Sequence, residues 1–71
     1  MDYLRKNVRY LRKKNKYTLK RCAAIIGISV SLLSQFESGC CDISFKVVLK
    51  LKHLFDVNLD DFVFKDLTTM K

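Results

Sequence analysis

The sequence predicts an all-α fold, a compact bundle of five short helices, on three observations. Proline is absent, glycine occurs only at Gly27 and Gly39, and there is no Asn-Gly or Asp-Gly pair to start a β-hairpin. Apolar residues recur at three- and four-residue spacing along most of the chain. Ahead of each such run stands Asp, Thr, Ser or Asn, whose side-chain oxygens accept from the free N–H groups of a helix start.

Taken in order, helix 1 covers about residues 3–15, with Leu4, Val8 and Leu11 on one face. Asp2 is placed to cap it, and Lys13, Lys14 and Lys16 suit the negative end of its dipole. Thr18 caps helix 2, Leu19 to Ile26, whose Cys22, Ala23 and Ile26 face inward, and Gly27 ends it in a left-handed conformation. Ser29 caps helix 3, Val30 to Ser38, which buries Leu33 and Phe36 and stops at Gly39. Ser44 caps helix 4, Phe45 to Phe55, with Val48, Leu51 and Phe55 inward. Asn58, followed by Asp60 and Asp61, opens helix 5, which is expected to end near Leu67.

Composition bounds the function. With 71 residues, 49% hydrophobic and 30% charged, the chain suits one small domain and one core, without room for a second. Its apolar runs fall far short of the roughly 20 residues that span a bilayer, and no signal peptide is read at its start. Three cysteines fit no disulfide framework and point to a reducing cytoplasm. Fourteen Lys and Arg oppose seven Asp and Glu, for +7. The excess is concentrated: residues 1–21 hold nine basic residues and one acid, whereas residues 22–71 hold five and six. Such polarity points to a polyanionic partner, nucleic acid or a membrane surface, against the plainer reading of a solvated basic face. An enzyme is not expected, with one histidine, no nucleophile–base pair by spacing and no glycine-rich phosphate loop.

The most informative stretch is Thr18 to Gly39. Its two helices are joined by Gly27-Ile28-Ser29, a turn that sets helices at roughly 90–120°. That angle braces the second helix on the first and leaves its outer face free to enter a major groove. The outer face carries Val30, Ser31, Ser34 and Gln35, uncharged residues within a basic chain. This suits a surface that reads bases while other residues neutralise phosphates.

From about Asn7 to Phe62 the sequence resembles the Cro/repressor-like helix-turn-helix domains, the xenobiotic-response-element family of bacterial and phage regulators. The matching residues include Val8, Leu11-Arg12, Thr18, Ala23, Gly27-Ile28-Ser29, Leu33-Ser34, Phe36-Glu37, Gly39, Ser44, Val48, Leu51, Val57 and Leu59-Asp60. The resemblance implies a lambda-repressor-like five-helix domain that binds double-stranded DNA, a palindromic operator, as a homodimer. It makes helix 3 the recognition helix, with Val30 and Ser31 at its leading end and Gln35 one turn on. Gln pairs bidentately with adenine, Val packs on a thymine methyl, and Ser31 and Ser34 suit bases or phosphates. It also implies a structural ion pair between Arg12 and Glu37 that sets the angle of helix 3. Lys20 and Arg21, in the first turn of helix 2, and Lys46, in the first turn of helix 4, are the expected phosphate contacts. The helix 1 cluster is expected to supply longer-range attraction.

Four positions depart from the family pattern. Leu19 stands where Gln is common, Cys22 at an apolar position, Lys16 where glycine follows helix 1, and Lys52 at a small-residue position. Lys16 is therefore expected at φ > 0, and Lys52 has to run its stem past the core. Cys40 and Cys41 are adjacent, too close for a relaxed mutual disulfide. With Cys22 and His53 they form no C-x-x-C zinc pattern, so neither metal nor cofactor is expected. Phe62, Val63, Phe64, Leu67 and Met70 exceed what one small core holds. With Phe62 inward, Val63, Phe64 and Leu67 are expected to form an exposed dimer interface. A protein-interaction module, antitoxin-like or anti-repressor, that uses the same fold to hold a protein partner is the competing function.

Overall fold

The computed structural model describes residues 3–69. Five α-helices follow one another: α1 (Leu4–Lys14), α2 (Leu19–Ile26), α3 (Val30–Ser38), α4 (Phe45–Phe55) and α5 (Leu59–Phe64). A 3₁₀ turn, Leu67–Thr69, follows them. Among the described residues there is no strand, and the helices form the lambda-repressor-like arrangement. No single helix among them is long and apolar enough to cross a membrane.

Four of the helix starts are made by the side chains the sequence marks. Thr18 Oγ1 accepts from Arg21 N–H, Ser29 Oγ from Leu32 N–H, Ser44 Oγ from Val47 N–H and Asn58 Oδ1 from Asp60 N–H. Gly27 and Gly39 close α2 and α3 at φ +78° and +93°, where a Cβ is strained. Lys16 takes φ +61°, as its place after helix 1 predicts, and Asp56 does the same after α4 at +53°. Asp2, the expected cap of α1, and Met70 lie outside the described residues. Within them, α1 begins at Tyr3 with no side-chain cap.

Every helix contributes to one core. Leu4, Val8 and Leu11 of α1 meet Ala23 and Ile26 of α2, Leu33 and Phe36 of α3, and Leu51 of α4. Phe55 stands edge-on to Phe62, ring centroids 6.3 Å apart, and joins α4 to α5. Cys22 is fully buried, in keeping with its apolar position, and burial pushes its thiol pKa up.

The end of the chain corrects the sequence reading. Helix α5 stops at Phe64 rather than near Leu67, and Lys65 is extended. The cause is Asn7, a fully buried amide on the inner face of α1. Its Nδ2 donates to the carbonyls of Phe62 (2.8 Å) and Lys65 (2.6 Å), and its Oδ1 accepts from Leu67 N–H (2.9 Å). A longer α5 would need the Phe62 carbonyl and the Leu67 N–H for its own ladder. The Leu67 N–H can donate only once and goes to Asn7 instead, so the chain leaves the helix and folds Leu67 back under α1. Val63 and Leu67, expected in an exposed dimer patch, are core residues at 7% and 9% exposure. Of the three, only Phe64 is exposed, at 69%.

Outside this hub, Lys6 ion-pairs with Asp66 at 2.8 Å, and the hydrogen bonds from Lys6 and Thr68 hold the Asp66 carboxyl below its usual pKa. Replacing Asn7 by Ala strands one buried N–H and two carbonyls. Asn7→Ala should therefore lower stability by about 2–4 kcal/mol in urea melts. A loss below about 0.5 kcal/mol would show that the amide does not organise the chain's end.

Candidate nucleic-acid interface

Helices α2 and α3 meet at 112°, within the range that the three-residue turn predicts. The turn is closed by Gly27 and Ile28 N–H groups, which both donate to the Ala23 carbonyl (2.9 and 3.0 Å). From the adjoining helix, Lys50 Nζ donates to the Ile26 carbonyl at 3.4 Å and ties α4 to the same turn. The elbow is thus held from both sides.

Helix α3 buries Leu33 and Phe36 and exposes Val30, Ser31, Ser34, Gln35 and Ser38. Val30 is 42% exposed at the leading end, an apolar side chain that the described residues leave open to solvent. Among the described residues, the side chains of Ser31, Ser34 and Gln35 make no hydrogen bond, so their donors and acceptors face outward unspent. Lys20 and Arg21 are exposed in the first turn of α2, and Lys46 in the first turn of α4. None of these three cations is paired with an acid among the described residues.

Arg12 and Glu37 form the ion pair that the resemblance implies. Arg12 Nε donates to Glu37 Oε2 at 2.7 Å and Nη2 to Oε1 at 3.0 Å, a two-pronged contact with side chains 9% and 7% exposed. Arg12 Nη1 also donates to the Tyr17 carbonyl at 2.9 Å, so one guanidinium joins α1, the following loop and α3. The Glu37 hydrogen bonds raise the Arg12 pKa further, against the opposing effect of burial. Glu37 is wholly engaged in this structural role.

A second arginine holds the other side of α3, and the sequence reading missed it. Arg5 Nε donates to the Phe36 carbonyl, and Nη2 to the Cys41 carbonyl (3.2 Å) and to Asp42 (3.3 Å). Its guanidinium lies 5.0 Å from the centroid of the Phe36 ring. Arg5 is therefore a tie between α1 and the end of α3 rather than part of a diffuse basic cluster. Its signal is its spacing: seven residues before Arg12, it stands on the same face of α1.

The remaining candidates separate cleanly. Cys40 is exposed and its N–H caps α3 through the Gln35 carbonyl (2.8 Å), whereas Cys41 is half-buried. Among the described residues, no three His, Cys, Asp or Glu side chains gather where they could hold a metal ion. Lys52 is half-buried on α4, in keeping with a stem laid along the core.

Removing one member of a buried pair leaves the other charge without a partner. Glu37→Ala should therefore cost about 3 kcal/mol. The double replacement Arg12→Met with Glu37→Leu should cost less than Glu37→Ala alone, because neither charge is stranded. Denaturant melts of the single and double variants check this, and additive losses would refute the coupling.

A family model described as helix-turn-helix matches residues 8–62, most of the chain and all of the α2–α3 elbow. Searches of curated proteins and of solved structures found no match. The elbow at 112°, the outward polar face of α3 and the Arg12–Glu37 brace all lie inside the matched span. The chain belongs to the Cro/C1-type helix-turn-helix, or xenobiotic-response-element, family, and its elbow is a DNA-binding helix-turn-helix.

Proposed function

We propose that this protein is a sequence-specific regulator of transcription that sets α3 in the major groove of double-stranded DNA. The observation that carries this reading is the face of α3. Val30, Ser31, Ser34 and Gln35 are exposed on one side of a helix whose other side is braced by two arginines. Gln35 offers a donor and an acceptor in the geometry that adenine's N7 and N6 edge requires, and Val30 an apolar contact for a thymine methyl. Ser31 and Ser34 add hydroxyls that serve bases or phosphates. Lys20, Arg21 and Lys46 supply the cations that fix register on the backbone without reading sequence. Such a protein acts as a repressor by occupying its site, and three free thiols suit a reducing cytoplasm.

The proposed operator is a palindrome bound by a homodimer, since one α3 reads only a half-site. A C2 dimer sets two recognition helices about 34 Å apart, one turn of B-DNA. With Val63 and Leu67 in the core, Phe64 is the exposed apolar residue of α5 available to such a contact.

Fluorescence anisotropy on duplexes from the chain's own upstream DNA tests the first claim. A preference of about 10³ or more for one duplex over random sequence is expected. Ser31→Ala with Gln35→Ala should abolish most of that preference while the thermal melt stays put. Equal binding to all duplexes would sink sequence reading and favour a protein partner. For the dimer, sedimentation with the preferred duplex should show two chains per site, reduced to one by Phe64→Lys. Two chains bound regardless of that substitution would remove Phe64 from the interface.

A further inference from the structure

We propose that Arg9 and Lys13 of α1 hold DNA phosphate directly, so that the binding surface runs from α2 and α3 across the edge of α1. The proposal rests on the reading of α3 as the DNA-facing helix. Arg9 and Lys13 line a crevice of about 250 Å³ between α1 and α3, whose opposite wall carries Ser34 and Ser38. The basic edge of α1 therefore borders the reading face instead of pointing away from it.

The crevice has the chemistry of a phosphate diester site. Arg9 and Lys13 are both exposed and one turn apart, so the two cations repel each other on the bare helix. Among the described residues, no acid pairs with either. Glu37, the acid in the crevice, is already held by Arg12. Facing the cations is the Ser34 hydroxyl, a donor of the type that accompanies Lys and Arg on DNA backbones, while the Ser38 hydroxyl beside it donates to the Gln35 carbonyl at 3.1 Å. Leu19, at the start of α2, brings no donor to the crevice, which leaves α1 as its source of charge.

The other cations of α1 show why these two are singled out. Arg5 is committed to the Phe36 and Cys41 carbonyls and to Asp42, Lys6 to Asp66, and Arg12 to Glu37. Lys14 lies over the Tyr10 ring at 5.7 Å. Arg9 and Lys13 are the pair on this helix that combine free charge with a place beside α3. A phosphate between them would relieve their repulsion and bridge α1 to the reading helix.

The test compares Arg9→Gln with Lys13→Gln against a control of equal charge, Lys14→Gln with Lys16→Gln, two exposed lysines outside the crevice. Each is titrated by anisotropy on a duplex selected from a random library by the wild-type protein, and on a random duplex, across a salt series. The crevice variant should lower the slope of log K against log salt by about 0.9 to 1.8, one or two phosphate contacts. It should weaken binding to both duplexes by a similar factor, because phosphate carries no sequence. The charge-keeping exchange Arg9→Lys with Lys13→Arg should restore the slope. An equal loss in the control would reduce the effect to general attraction and overturn the proposal, as would an unchanged slope. If the wild-type protein bound no duplex at all, the DNA reading itself would fall and take the proposal with it.

Discussion

Helix α3 buries Leu33 and Phe36 in the core, and polar contacts to α1 add to that packing in setting its rotation and tilt. A reading helix needs both fixed, since a few degrees of rotation carry a side chain off its base. The Arg12–Glu37 pair meets that need with two parallel hydrogen bonds whose planar geometry admits one relative orientation of α1 and α3. Arg5 complements it by holding the Phe36 carbonyl in the last turn of the same helix and the Cys41 carbonyl in the loop that follows. The desolvation cost of a buried pair offsets much of its attraction, so its value lies in orientation more than in stability. The orientation of α3 against α1, and with it the proposed DNA contacts, depends on that brace.

The basic first third of the chain divides by function. Arg5 and Arg12 work inward as struts for α3, and Lys6 pins the 3₁₀ turn through Asp66. Arg9, Lys13, Lys20 and Arg21 stay exposed and without an acidic partner among the described residues. Charge counted along the sequence treats these groups alike, although a strut and a phosphate contact respond oppositely to substitution. Loss of a strut disturbs the fold, while loss of an exposed cation that contacts phosphate, as proposed for these four, changes affinity and salt dependence.

What could be read from the sequence was local. Thr18, Ser29, Ser44 and Asn58 act within three residues of themselves, and Gly27 and Gly39 answer a backbone need at their own positions. The outward face of α3 followed from helical periodicity, and the Arg12–Glu37 pair from resemblance to a family. What escaped was set by partners far apart in sequence. Nothing near Val63 or Leu67 announces that α5 must break, because the cause is an amide some 60 residues earlier. Asn7 did leave a trace, a polar residue on the apolar stripe of Leu4, Val8 and Leu11. A buried amide on such a stripe has to find its partners elsewhere.

That amide also joins the two distant ends of the chain. Helix α1 is made first, yet the polar atoms on its inner face find their partners only at Phe62, Lys65 and Leu67. Without the segment from Phe62 to Leu67, the elbow would stand over a core that lacks Phe62, Val63 and Leu67. Its two struts could still meet α3, but the layer they stand on would lack its far wall. The fold is therefore closed by contacts between its two distant ends, the kind of non-local pairing that raises contact order. A chain clipped before Phe62 would keep the whole elbow and lose every partner of the Asn7 amide.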